Sequence, residues 1–86
     1  MANHRQAEKR NRQRIQRQAH HRFFRSTMRT FIKRVRVALQ EKEKTVAQEV
    51  LGKTIPLIDR CAQKGIIPKV RASRLVSRLT QAVNKL

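Results

Sequence analysis

An all-α fold is predicted by three observations. Glycine and proline number only two each in 86 residues. Arg, Gln, Ala, Leu and Val make up half of the chain, and apolar residues recur at helical spacing in three stretches. The arrangement expected is a three-helix bundle whose long first helix projects as a basic N-terminal arm. One domain is expected over residues 1–86, with residues 1–22 as the arm and residues 23–86 as the bundle.

The first segment runs from about Arg5 to Gln40 with no Gly or Pro to interrupt it. If continuous it is on the order of 50 Å long. From Phe24 onward, Phe24, Met28, Phe31, Ile32, Val35, Ala38 and Leu39 share one face, with Arg22, Arg25, Arg29, Lys33 and Arg36 on a stripe opposite. Before Phe23 the apolar residues are Ala7, Ile15 and Ala19, and cations sit all round. A helix polar on every side has no tertiary face, and like charges at i,i+4, such as Arg5/Lys9 and Arg10/Arg14, weaken it. This half is expected to be frayed or disordered when free.

Breaks are expected near Glu41–Lys44 and at Lys64-Gly65-Ile66-Ile67-Pro68. The second segment spans about Thr45 to Ala62, with Thr45 as N-cap and Gln48 at capping-box spacing. Its apolar face comprises Val46, Val50, Leu51, Thr54, Leu57, Ile58 and Cys61. Pro56 lies within the pattern and predicts a kink rather than two helices, because the apolar period resumes in phase. Gly65 suits the left-handed residue that ends the helix. The third segment runs from about Pro68, placed in the first turn, to Lys85. Ala72, Leu75, Val76, Leu79, Ala82, Val83 and Leu86 form its apolar stripe, with Arg71, Arg74, Arg78 and Lys85 beside it.

Composition narrows the chemistry. The net charge is +17 and the pI about 12.0. Twelve Lys or Arg and a single acid, Glu8, fall in the first 36 residues. Mixed signs are usual on a solvated face, and this one has almost no acids, so a polyanionic partner is expected. The small core and the self-repulsion imply marginal stability alone. The lone Cys61 allows no intrachain disulfide and fits a reducing cytosol. No apolar run reaches the ~20 residues of a membrane span. No apolar stretch follows the N-terminus as in a secretory signal, and an organelle transit peptide is the weaker rival reading.

Arginine outnumbers lysine fourteen to eight, and its planar fork meets phosphate oxygens bidentately. Two basic stripes and an arm favour a folded RNA, whose helices lie close together, over one straight duplex. The candidate contacts are Arg5, Lys9, Arg10, Arg12, Arg14 and Arg17 on the arm, Arg22, Arg25, Arg29, Lys33 and Arg36 on the first stripe, and Arg71, Arg74 and Arg78 on the second. With no Trp or Tyr and three Phe, a single-strand stacking platform is not expected. Phe24 and Phe31 read as core, and Phe23 sits off their stripe as a possible exposed contact. No base-reading motif is present. Cys61 reads as a packed hydrophobe. No carboxylate dyad, phosphate loop, nucleophile–base pair or metal cluster is present in the sequence, so no enzyme, cofactor or metal is expected. Two other classes fit the charge. One is a nucleoid-type, non-specific DNA-binding protein. The other is a membrane-active cationic helix, which matched apolar faces disfavour.

Two motifs carry a resemblance. Met1-Ala2-Asn3-His4 followed by Ala7-Glu8-Lys9-Arg10, and Lys64-Gly65-Ile66-Ile67 with Lys69, Ala72, Arg74 and Ser77-Arg78-Leu79, are similar to the opening and the C-terminal signature of the bacterial ribosomal protein S20 family. Length and spacing agree end to end. The resemblance implies a three-helix constituent of the small ribosomal subunit that binds 16S ribosomal RNA directly and aids assembly. It further implies a cytoplasmic, ribosome-bound protein with no small-molecule substrate, membrane or obligate homo-oligomer. It adds Asn3, His4, Lys64, Lys69 and Ser77 to the expected RNA contacts, and makes Ala2-Asn3 the expected mature start. The chain departs from the family pattern at Gln6, where Ser is usual, and at Pro68-Lys69-Val70, where His-Lys-Asn is usual. Leu75 and Val76 replace commonly basic residues, and Pro56 is not a family feature. No contact is carried over at 68, 70, 75 or 76.

Overall fold

The computed structural model describes residues 2–86, with side chains from His4 onward. Expectations at Met1 and for the Asn3 side chain lie outside the described residues. Three helices follow one another: α1 (Ala2–Gln40), α2 (Lys44–Gln63) and α3 (Lys69–Asn84). At 1.5 Å per residue α1 is about 58 Å long, and the molecule measures 63 × 21 × 15 Å. Helix α1 therefore sets the long dimension. The radius of gyration is 17.5 Å, against about 12 Å for a compact chain of this size. The excess is the arm.

Every side chain from His4 to His20 is exposed. The sequence leads one to expect fraying here, yet α1 is helical back to Ala2. Ala, Arg, Gln, Lys and Glu, all good helix formers, fill most of this stretch, and no tertiary contact is needed to specify it. Its helix rests on propensity alone.

The core begins where α1 turns apolar. Met28, Ile32, Val35 and Ala38 pack with Ala47, Leu51, Ile58 and Cys61 of α2, with Ile66 and Ile67 of the connection, and with Ala72, Leu79 and Val83 of α3. Phe24 and Leu39 pack against this cluster. Helix α2 is the shared element, touching both neighbours extensively, while α1 and α3 scarcely meet. Thr54 is fully buried, and its hydroxyl donates to the Val50 carbonyl at 2.7 Å. That bond removes the cost of a buried hydroxyl.

Several expectations are corrected. Helix α2 starts at Lys44 with Glu43 as cap residue and no side-chain capping bond, so Thr45 is not the N-cap. Val46 is exposed and Ala47 takes its place in the core, because the face that meets α1 is one residue further round. Leu86 lies beyond the last turn of α3 and is exposed. Phe31 is only half-buried and carries the Arg34 guanidinium 5.1 Å from its ring centroid, a cation–π contact at the surface. Pro68 is the cap of α3 in extended conformation (φ −63°, ψ 144°) rather than a first-turn residue. As expected, helix α2 runs through Pro56 as one helix rather than two.

The two helix ends within the bundle use the same device. Gly65, at φ +74°, donates its N–H to the Ala62 carbonyl at 3.1 Å, and the Ile66 N–H reaches the Cys61 carbonyl at 2.9 Å. This Schellman pattern ends α2 and folds Ile66 into the core. At the end of α1, Lys42 takes the left-handed position at φ 57°, with Lys42 N–H to Leu39 O at 3.2 Å and Glu43 N–H to Ala38 O at 3.1 Å. A side chain there is strained where glycine is not. Lys42→Gly should therefore stabilise the bundle by about 0.5–1 kcal/mol, after glycine's entropic cost is set against the relief. Gly65→Ala should destabilise it by about 1 kcal/mol. Thermal melts of the two variants check both signs.

Candidate nucleic-acid interface

Charge is segregated along the chain. Residues 1–40 carry twelve cations against Glu8, and residues 64–86 carry six cations and no acid. Residues 41–63 hold four of each sign and are neutral. In the fold this becomes a sidedness, with α1 and α3 basic and the intervening α2, with three cations and two acids, nearly balanced.

Because α1 and α3 both lean on α2 and scarcely touch each other, a cleft opens between them. Arg25, Arg29, Lys33 and Arg36, at i, i+4, i+8 and i+11, supply one wall, and Arg71 stands on the other. Met28, Ile32, Ile66, Ile67, Pro68 and Leu75 line the rest. Five cations and no acid face this space. The like charges oppose closure of α1 onto α3, and a bound anion would relieve them.

Helix α3 adds to the field. Its first turn holds Lys69 and Arg71 and no acid. Cations at the positive end of a helix dipole are unfavourable. An external anion that meets the free N–H groups there offsets this. Arg74 and Arg78 continue the row that Arg71 begins, both exposed. Ser77 is exposed but adjacent to Arg78 in sequence, and so lies about 100° round the helix from it.

The arm presents its cations without a partner element. Arg5, Lys9, Arg10, Arg12, Arg14 and Arg17 are all exposed, as is Arg22. Arg14 donates to Asn11 Oδ1 at 3.2 Å, and His4 Nδ1 lies 3.5 Å from Glu8 Oε1 with both side chains largely exposed. The root of the arm is better held. Lys64 Nζ sits 3.3 Å from His20 Nε2 and 4.8 Å from the Phe24 ring centroid, and the His20 ring meets Phe24 edge-on at 4.7 Å. Lys64 thereby ties the end of α2 to the point where α1 leaves the bundle.

The expected residues thus form three groups rather than one site. Arg25, Arg29, Lys33, Arg36 and Arg71 converge on the cleft. Arg74 and Arg78 extend it along α3. The arm residues and Lys64 form a separate track. Sequence reasoning missed the apolar lining of the cleft, for which the adjacent Ile66-Ile67 between two helix signals was the available clue. It also missed Arg34, whose place over Phe31 is set by i,i+3 spacing.

Cys61 carries no chemistry in this arrangement. It is fully buried, with Sγ 3.8 Å from the Phe24 carbonyl. Burial pushes its thiol up from the ordinary value of 9.0, and Lys64 opposes this more weakly. Stability linked to this thiol is present below the unfolded value and declines as pH rises through the higher folded one. Alkylation at pH 8 should be slow in the folded protein and at least tenfold faster in denaturant, as mass spectrometry would show.

Among the described residues no group of three His, Cys, Asp or Glu is placed to hold a metal ion, and no helix is long and apolar enough to cross a membrane.

Fold and groove together define a small, helical, polycationic protein with a cation-lined cleft and a free basic arm. Comparison with known proteins makes the class specific. The model of the family described as Ribosomal protein S20 matches residues 2–84, and the chain belongs to that family. It is 52% identical over 86 residues to the small ribosomal subunit protein bS20 of Geotalea daltonii, covering 100% of this chain and 99% of the relative. The corresponding proteins of Geotalea uraniireducens and Geobacter sulfurreducens are 51% and 48% identical, with the same coverage.

Proposed function

We propose that this protein is a structural constituent of the small ribosomal subunit that binds 16S ribosomal RNA directly and aids subunit assembly. The observation that carries the reading is the α1–α3 cleft, where five cations face one another with no acid among them. Family membership supports the subunit, and the groove supports direct contact with phosphate. In this reading the domain is an RNA-binding arm at residues 1–22 joined to a bundle at residues 23–86. Phosphates enter the cleft between Arg25, Arg29, Lys33, Arg36 and Arg71. Others lie along Arg74 and Arg78, at Lys69, Lys64 and Ser77, and along Asn3, His4 and the arm cations.

The mechanism is electrostatic docking with coupled ordering. Each neutralised phosphate releases counterions, which gives the binding its entropy and its salt dependence. Helix α1 from His4 to Ala19 is exposed on every side and is tied to the bundle at its root by the His20–Lys64 contact, so RNA supplies the surface that fixes the rest. Amide hydrogen exchange should find residues 5–20 almost unprotected in the free protein and protected in the complex, while Leu51, Ile58 and Leu79 are protected in both.

A cytoplasmic, ribosome-bound location follows from this function. Sucrose-gradient fractionation of native extract tests it, with co-sedimentation with small subunits expected. Competition separates this reading from that of a non-specific DNA-binding protein. Folded 16S RNA should displace the protein from random duplex DNA at physiological salt, and equal affinity for the two would favour the DNA reading.

A further inference from the structure

We propose that Phe23 is a stacking platform for one unpaired nucleobase of the bound RNA, at the junction of arm and bundle. The inference rests on the RNA reading above. Phe23 is 65% exposed, the largest exposed apolar side chain of the described residues. No element of the chain covers it, yet its ring is held. It meets Phe24 edge-on, with centroids 5.7 Å apart and planes at 87°. Phe24 in turn packs against the core and is flanked by the His20 ring and the Lys64 ammonium. An aromatic ring fixed at its base and open to solvent loses little freedom when a second ring settles on it.

The surroundings favour a nucleobase over a protein side chain. One helical turn away, Ala19, Ser26 and Thr27 are small, and the larger neighbour His20 has its ring against Phe24, which leaves room for a flat ring. The Thr27 hydroxyl donates to Phe23's own carbonyl at 2.8 Å, so it does not compete for a base edge. Exposed Arg22 lies about 100° round the helix from the ring and can hold a phosphate next to a splayed base. Stacking on an aromatic face takes any base, so the site needs no hydrogen-bond code.

Two variants test this against in-vitro-transcribed 16S RNA of the same organism. Phe23→Leu keeps an apolar side chain but removes the π face. It should weaken filter binding roughly tenfold while leaving the log–log salt slope unchanged, because no phosphate contact is lost. Phe23→Trp should bind at least as well as the parent. The chain has no other Trp, so its fluorescence should be strongly quenched on saturation with RNA. Parent-like binding of Phe23→Leu, or unquenched Trp in a saturated complex, would overturn the stacking proposal and leave the RNA reading standing. Failure of the parent protein to bind 16S RNA would overturn both.

Discussion

Replacing Arg29, Lys33 and Arg71 together by glutamine should lower affinity for 16S ribosomal RNA by at least about a hundredfold and make its salt dependence shallower. A charged hydrogen bond contributes roughly 1.5–3 kcal/mol, so three independent losses would exceed a thousandfold. Residues sharing one groove couple, which argues for the smaller figure. The log–log slope should fall by about one for each phosphate contact removed. If the parent protein meets six to ten phosphates, it should lose about 10³–10⁵ in affinity between 50 and 200 mM salt. The control is Lys44→Gln, Lys53→Gln and Arg60→Gln, which removes the same charge from the balanced α2. If position governs binding, the control should remain close to the parent. Equal losses in both triples would mean that net charge alone is at work.

The second large effect concerns stability. Ile58 is fully buried in the C-terminal half of α2, within a core that among the described residues comprises thirteen apolar side chains between residues 28 and 83. Ile→Ala at such a site costs about 2–5 kcal/mol, from lost transfer energy and the cavity left behind. A domain of this size rarely holds more than about 3–5 kcal/mol in total, and +17 of net charge works against it. Ile58→Ala should therefore be largely unfolded at 37 °C in the absence of RNA. The arm owes nothing to the core, so circular dichroism should retain a residual helical signal after the cooperative loss of α2 and α3. Saturating RNA should restore the fold by mass action. A variant that melts within a few degrees of the parent would show that the core is larger or more plastic than the packing indicates.

What the sequence revealed follows the strength of each physical signal. The helices of the bundle were legible because Met28, Ile32 and Val35, or Ala72, Leu79 and Val83, repeat at helical spacing over several turns. Gly65 was legible because a left-handed helix end favours a residue without Cβ. Lys42 at the same kind of position was not, since nothing in its side chain announces it. Ala47 was passed over for Val46 because alanine gives a weak apolar signal, yet Ala47 is fully buried in the core while Val46 is exposed. The cations were all visible, but the cleft that gathers five of them was not. It depends on α1 and α3 both packing on α2 rather than on each other, a tertiary fact that no periodicity carries. The arm's helix follows from the helix-forming residues that fill it, while its lack of a tertiary face is why fraying is expected in the free protein.

The central claim is that the groove and the arm face RNA while α2 does not. Arginine- and lysine-directed chemical footprinting of the protein within purified small subunits, compared with the free protein, tests it residue by residue. The account predicts strong protection at Arg25, Arg29, Lys33, Arg36, Arg71 and the arm cations, with Lys53 and Arg60 on α2 remaining reactive. Protection of Lys53 and Arg60 with reactivity retained in the cleft would contradict it.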